Sequence, residues 1–103
     1  MKEITVSELK SQLEATAVID VRELHEYVDG HVPGAIHIPL TTIPLRTNEL
    51  NRETEYHIIC EAGGRSAQAC MYLAQQGYNV VNVAGGTGAW RSAGMETTKG
   101  ESA

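Results

Sequence analysis

The sequence predicts an α/β domain with a central, mostly parallel sheet of five strands and helices on both faces. Short runs rich in Val and Ile alternate with segments that have helical spacing, which is typical of parallel sheets. Gly and Pro separate these segments and keep the connections short. The 103 residues suffice for one compact domain but not for two. We expect the domain to occupy residues 1–96 and the small, polar residues 97–103 to form a flexible tail.

The chain begins with a strand, a helix and a second strand. Residues 3–5 predict a short strand, and Ser7 is a plausible N-cap for the helix that follows. Leu9 and Leu13 have i, i+4 spacing and are expected to face the core. Residues 17–21 are mostly β-branched and predict a buried strand.

The next elements are short and bounded by breakers. Residues 25–29 predict a helix that stops at Gly30. Residues 35–38 predict the third strand, because Pro-Gly precedes them and Pro follows them. Residues 41–52 predict a longer connection that contains a short helix.

The second half contains the strongest helical pattern. Residues 56–60 predict the fourth strand, and two glycines break it before a helix over 66–76 with Gly77 as C-cap. The inward face of this helix is predicted to carry Ala67, Cys70, Leu73 and Ala74. Residues 79–83 predict the last strand, and a short helix through Trp90 follows. We expect Trp90 to lie in the core or to cover the loop after the fourth strand.

Composition excludes several classes of function. A net charge of -5 argues against a general nucleic-acid binder, which needs clustered Lys and Arg. No apolar run is long enough to span a bilayer, and residues 1–6 lack the apolar stretch of a signal peptide, so a cytoplasmic location is the default expectation. Neither the two cysteines nor the four histidines have metal-ligand spacing, and we expect no metal, cofactor or disulfide framework.

The loop after the fourth strand carries the chemistry. Its residues are Cys60, Glu61, Ala62, Gly63, Gly64, Arg65 and Ser66. Ligands bind at the carboxyl ends of parallel strands. Here the two glycines allow consecutive N–H groups to turn around an anion, the following helix start favours negative charge, and Arg65 adds a positive one. We expect these effects to lower the pKa of Cys60 and to make it a nucleophile toward an anionic substrate.

Four segments, in order, resemble the rhodanese family over almost the whole chain. They are Asp20-Val21-Arg22-Glu23, the run from Gly30 through His31 to Pro39, the loop from Cys60 to Ser66, and Gly77-Tyr78 together with the run from Gly85 to Trp90. The resemblance implies a single rhodanese-like domain. It also implies a sulfurtransferase that takes sulfane sulfur from thiosulfate or a persulfide donor and passes it to cyanide or a thiol.

The resemblance also implies roles for the loop. Cys60 would be the nucleophile and would carry the persulfide. The backbone N–H groups of residues 61–66 would stabilise its terminal sulfur, and Arg65 would hold the anionic donor. Sulfite leaves as a stable anion, so this reaction needs no general acid.

Three other functions are alternatives. The phosphatases that share this fold have a loop that resembles Cys-x5-Arg, whereas this chain has the shorter Cys-x4-Arg. A phosphatase would also need a proton donor for the leaving alkoxide, and Glu61 is the only nearby candidate. A sulfur-relay carrier would exchange sulfur with protein partners and turn over little free thiosulfate. An inert interaction module is disfavoured because Cys60, both loop glycines and Arg65 are all present.

Residues near the loop favour structural interpretations. We expect Asp20 and Arg22 to form a charged pair that pins neighbouring loops, with Glu26 a candidate member of the same network. His31 is expected to bond to backbone in a turn. The neighbours of Cys70 at helical spacing indicate that its thiol is buried. The alternative is that Cys70 resolves a Cys60 persulfide as an internal disulfide, and burial is favoured over it.

An acidic side chain at position 61 is expected to point to solvent, because it would oppose an anionic donor. It would favour a thiol persulfide or a protein donor over thiosulfate.

Overall fold

The predicted sheet is present, and every strand pair in it is parallel. The computed structural model describes residues 1–103. Its strands are β1 (Glu3–Ile4), β2 (Ala17–Asp20), β3 (Ile36–His37), β4 (Glu55–Ile59) and β5 (Asn79–Val83). They lie in the order β1-β5-β4-β2-β3, which confirms the predicted five-stranded α/β architecture.

Helices cover both faces of the sheet. They are α1 (Val6–Ser11), α2 (Leu24–Asp29), α3 (Ile43–Arg46), α4 (Gly64–Gln75) and α5 (Gly86–Ser92). Short 3₁₀ turns occur at Leu13–Ala15, Leu40–Thr42 and Thr47–Glu49, the last two within the connection predicted between the third and fourth strands. No helix has both the length and the apolar character that crossing a membrane requires.

The core has two layers, because successive strand residues point to opposite faces. Ile58 packs with Leu73 of α4 and Ile43 of α3 on one face. Ile59 packs with Leu9 of α1 and Trp90 of α5 on the other. Burying each of these large apolar side chains contributes roughly 1.5–3 kcal/mol, so the alternation along β4 holds helices on both faces.

The carboxyl ends of three strands meet at one edge of the sheet. Asp20, the last residue of β2, pairs with Ile59 of β4 and with His37 of β3. Cys60 is the first residue after β4. The segments that leave β2 and β4 therefore emerge side by side, and this edge positions the candidate site.

The N-cap of α1 differs from the prediction. Thr5 caps the helix instead of Ser7: its hydroxyl accepts the Glu8 N–H at 3.1 Å, and the Glu8 carboxylate accepts the Thr5 N–H at 2.9 Å. This reciprocal capping box satisfies two backbone donors, whereas Ser7 already lies in the first helical turn.

The inward face of α4 also differs in part from the prediction. Its buried residues are Ser66, Ala69, Cys70 and Leu73, whereas Ala67 is half-buried and Ala74 is exposed. The four buried residues follow the i, i+3, i+4, i+7 spacing of one helix face, and Ser66, the first of them, is polar because its hydroxyl donates to Gly63 O at 3.1 Å.

The end of α4 lies one residue from the predicted position. Gln76 is the C-cap, and Gly77 follows it at φ +89°. The N–H groups of Gly77 and Tyr78 donate to Ala74 O and Leu73 O, each at 3.0 Å. These two bonds satisfy carbonyls of the last turn and require the left-handed conformation that glycine adopts easily.

Residues 97–103 lie against the segment around α2. His31 and Thr98 exchange backbone hydrogen bonds at 2.9 and 2.8 Å, and Gly100 N–H donates to Val28 O at 2.9 Å. The boundary at residue 96 and the flexibility of the tail stay predictions.

Candidate active site

The Cys60 thiol is enclosed by the start of α4. Its side chain is buried, the Gly63 N–H donates to Sγ at 3.0 Å, and Ser66 Oγ lies 3.3 Å from the same sulfur. Gly63 has φ +113°, a conformation that turns its N–H toward the sulfur and that few other residues adopt. The loop therefore places hydrogen-bond donors around the Cys60 sulfur, and its role as an anion cradle stays a prediction.

Hydrogen bonds decide the ionisation of Cys60. Burial raises the pKa of the thiol, but the Ser66 hydroxyl and the backbone N–H groups of Ser66, Gly63 and Ala62 together lower it below its usual value. A lowered pKa gives more thiolate at neutral pH than a free cysteine has. The lowered pKa of Cys60 agrees with the direction that the sequence predicts, and its role as a nucleophile stays a prediction.

We predict that Ser66→Ala raises the pKa of Cys60, because the variant loses the side-chain hydrogen bond to the thiolate. The pH profile of iodoacetamide alkylation should move to higher pH, with slower alkylation at neutral pH. Ser7→Ala is the matched control, since Ser7 is exposed on α1. If Ser66→Ala leaves the pH profile of alkylation unchanged, the backbone donors alone stabilise the thiolate.

The start of α5 holds the loop from behind. The Thr87 N–H donates to Cys60 O at 2.8 Å, and the Gly88 N–H donates to Glu61 O at 2.9 Å. An ideal Cβ on Gly86 would lie 2.5 Å from Cys60 O, so only glycine fits there. Sequence reasoning noticed this Gly-rich motif but not its contact with the loop.

Asp20 and Arg22 form a buried ion pair, the arrangement that the sequence predicts. The Arg22 guanidinium donates to Asp20 Oδ2 at 2.8 Å and to Gly30 O at 2.8 Å, and neither side chain is more than 1% exposed. It also reaches the cysteine loop, donating to Glu61 Oε1 at 3.1 Å. These contacts join the loops after β2 and β4.

Glu61 does not extend freely into solvent, which corrects the expectation for its side chain. Its two carboxylate oxygens accept hydrogen bonds from Arg22 at 3.1 Å and from Arg91 at 3.0 Å. No sequence pattern pointed to Arg91, which the packing of α5 brings to the loop.

Arg65 is paired with Glu26 of α2. Its two terminal nitrogens donate to the two carboxylate oxygens at 2.7 and 2.9 Å. The side-chain hydrogen bond from Arg65 lowers the pKa of Glu26 to about 2, so this carboxylate is ionised at neutral pH. Glu26 therefore neutralises Arg65, the cation that was expected to hold the anionic donor. The Glu26 side chain bonds to Arg65 and not to Asp20 or Arg22, so it is not a member of that network.

His31 contacts backbone and not the loop. Its ring is buried and stacked on Tyr27, and its nitrogens lie 2.8 Å from Tyr27 O and 2.9 Å from Ser102 O. This is the backbone-bonded geometry expected of a histidine in a turn.

Cys70 and Trp90 belong to the two core layers. Cys70 is a buried free thiol, and burial raises its pKa to about 12, so it is protonated at neutral pH. Trp90 is fully buried, and its indole N–H donates to Glu96 O at 2.8 Å. Both side chains are therefore part of the packed core.

Fold and site together define a class of protein: an α/β domain with a buried cysteine at the carboxyl end of a central strand, whose sulfur accepts a hydrogen bond from the start of the following helix. Residues 5–93 match the model of the Rhodanese-like domain family. The chain belongs to the rhodanese-like domain family.

Individual relatives agree with this assignment. A protein of Bacillus subtilis (strain 168), YtwF, provisionally named a sulfurtransferase, is 43% identical over 87% of this chain and 90% of its own length. A sulfurtransferase of Allochromatium vinosum is 37% identical over 88% of this chain and 86% of its own length. A second B. subtilis protein, YrkF, provisionally named a sulfur carrier protein, is 40% identical over 85% of this chain, which spans only 50% of YrkF.

Solved structures give the same family. The crystal structure of a rhodanese-related protein from Thermoplasma volcanium superimposes with a TM-score of 0.91 at 34% identity, covering 95% of this chain and 98% of that protein. Two of these relatives are thus named for sulfur transfer and one for sulfur carriage.

Proposed function

We propose that this chain is a sulfurtransferase in which Cys60 accepts sulfane sulfur from thiosulfate or a persulfide and passes it to a thiol or cyanide. The observation that carries the proposal is the hydrogen bond from Gly63 N–H to Cys60 Sγ, at 3.0 Å, at the start of α4. Donors aimed at sulfur stabilise both the attacking thiolate and the persulfide anion that replaces it.

The first step with thiosulfate is a displacement at sulfur. The Cys60 thiolate attacks the outer sulfur of thiosulfate, an S–S bond forms, and the S–S bond of thiosulfate breaks with its electron pair leaving on sulfite. The products are the Cys60 persulfide anion and sulfite, so the total charge is unchanged and no proton is needed. An acceptor thiolate or cyanide then attacks the terminal sulfur and restores the Cys60 thiolate.

A sulfur-relay carrier is the second candidate. Each guanidinium near the loop is paired with a carboxylate, which leaves little free positive charge to attract a small dianion. The name of YrkF supports this alternative. Its partners would be a protein sulfur donor and a protein sulfur acceptor. Neither the sulfurtransferase nor the relay carrier needs a cofactor, a nucleic acid or a membrane. A cytoplasmic location is part of the proposal for both.

Thiocyanate formation from thiosulfate and cyanide tests the proposal, with intact mass recorded after donor treatment. Turnover together with one added sulfur atom on the protein supports a sulfurtransferase. An added sulfur without turnover favours the relay carrier. If neither turnover nor an added sulfur atom is detected with thiosulfate or with a small persulfide, both candidate functions are overturned.

We predict that Arg65→Ala clearly lowers kcat/KM for thiosulfate while it lowers the free energy of unfolding only slightly. The pair with Glu26 is partly exposed, so its loss should cost no more than about 1 kcal/mol in the free energy of unfolding. The variant also leaves an unpaired carboxylate beside the loop, and kcat/KM for thiosulfate should fall roughly tenfold. Donor kinetics and thermal unfolding are measured together. Unchanged kinetics would remove Arg65 from donor binding.

A further inference from the structure

The side chains around the cysteine loop have balanced charges. Three guanidiniums and three carboxylates are paired there: those of Arg22, Arg65 and Arg91, and those of Asp20, Glu26 and Glu61. Every guanidinium in this set bonds to a carboxylate at 3.1 Å or less. The positive field of the cradle therefore comes from backbone donors and from the start of α4, and not from a free cation.

We propose that Glu26 is a positioning residue that sets donor specificity: by holding Arg65, it makes the site select a thiol persulfide over dianionic thiosulfate. This inference rests on the proposed function and narrows it to one class of donor.

Arg65 is the only one of the three arginines that could readily become a free cation at the cradle. Arg22 is 1% exposed and is fixed by Asp20, Gly30 O and Glu61. Arg91 lies in the last turn of α5 and reaches the loop only through Glu61. Arg65 lies in the first turn of α4, next to Ser66, its guanidinium bonds only to Glu26, and its side chain is 39% exposed.

Arg65 belongs to the same loop and helix start that bond to the Cys60 sulfur. The hydrogen bond to Glu26 is the main cause that raises the pKa of Arg65, and the negative charge of the Cys60 thiolate contributes in the same direction. A guanidinium released from Glu26 would therefore act on the anion that the cradle binds.

Glu26 is held in place from the other side. Its Oε1 accepts the Glu23 N–H at 3.0 Å at the start of α2 while both of its oxygens bond to Arg65. The carboxylate is thus anchored by a backbone bond and stays ionised at neutral pH. The neutralisation of Arg65 is a fixed feature of the resting site.

The two donors differ in charge at the reacting centre. Thiosulfate brings two negative charges and releases sulfite with two. With a protonated persulfide RS–SH, the Cys60 thiolate forms an S–S bond to the terminal sulfur, the donor S–S bond breaks, and RS⁻ leaves with the electron pair. Only one negative charge is then present throughout, and a cradle without a free cation accommodates one charge better than three.

Glu26→Gln is the test, because glutamine keeps an oxygen for the Glu23 N–H but removes the charge that neutralises Arg65. The donors are thiosulfate and the persulfide of 2-mercaptoethanol, and Cys60 loading is followed by intact mass. We expect kcat/KM for thiosulfate to rise roughly tenfold through a lower KM, with the persulfide changed less than twofold.

Glu55→Gln is the matched control, since Glu55 bonds to Lys2 at the amino end of β4, opposite the site. In an Arg65→Ala background, Glu26→Gln should return kcat/KM for thiosulfate to about the wild-type value and no higher, because it removes the unpaired carboxylate but leaves no guanidinium to act on the donor. Equal effects on both donors, a gain that Glu55→Gln reproduces, or a double variant that uses thiosulfate as well as Glu26→Gln alone would overturn the proposal.

Wild-type protein tests the inference even where Glu26→Gln fails to fold. The KM for thiosulfate should exceed that for the persulfide by at least about tenfold at low ionic strength. Similar KM values would overturn the donor preference while leaving Cys60 loading, and hence the proposed function, intact. Loading by neither donor would overturn the proposed function itself.

Discussion

Replacing Cys60 with serine should abolish sulfur loading, and we expect kcat/KM for transfer to fall at least about 10³-fold. A serine hydroxyl is far less acidic than the thiol whose pKa this cradle lowers, and it cannot form a persulfide. Serine is close to cysteine in volume and can accept the Gly63 N–H, so the free energy of unfolding should change by only about 1 kcal/mol. Intact mass after donor treatment measures the loading, and thermal unfolding shows that the fold is kept.

Cys70→Ser is the matched control for that experiment. Cys70 is equally buried, but its thiol is protonated at neutral pH and lies within the core layer against α4. We expect this variant to lose roughly 1–3 kcal/mol of stability from a buried hydroxyl and to load sulfur normally on Cys60. Sulfur retained on Cys60→Ser protein would instead assign the chemistry to Cys70.

The sheet was predictable because its signals are local. Residues 79–83 form β5 with the predicted bounds, since a β-branched run there is bounded by breakers on both sides. The alternation of strands and helices was enough for the parallel topology. Even the N-cap of α1 had a local signal: Thr5 and Glu8 have capping-box spacing, a pattern that the choice of Ser7 overlooked.

The cradle was predictable for the same reason, whereas its electrostatics were not. Cys60, Gly63 and Ser66 are close in sequence, and the geometry around the sulfur follows from one loop and one helix start. The partner of Arg65 lies 39 residues away on α2, and that of Arg91 lies 30 residues away. Such pairs depend on how helices pack on the sheet, which no sequence spacing reports.

Gly86→Ala should be strongly destabilising. Gly86 has φ +59°, and an alanine Cβ would lie 2.5 Å from Cys60 O and 2.6 Å from Glu61 O. Both obstacles are backbone atoms that already accept hydrogen bonds from Thr87 and Gly88, so no flexible side chain can move aside. The steric and conformational costs together suggest a loss of about 3 kcal/mol or more in the free energy of unfolding.

Gly94→Ala separates those two costs. Gly94 has φ +77° but open space around its position, so its substitution should cost only about 1 kcal/mol for the left-handed conformation. For a domain of this size, 1 kcal/mol corresponds to roughly 4–8 °C in Tm, and Gly86→Ala should therefore unfold at least about 8 °C below Gly94→Ala. Equal Tm values would mean that the cysteine loop yields to the added methyl group. A large difference would mean that α5 holds the backbone of Cys60 and Glu61 rigidly, which is the condition under which the donors of the cradle stay aimed at the sulfur.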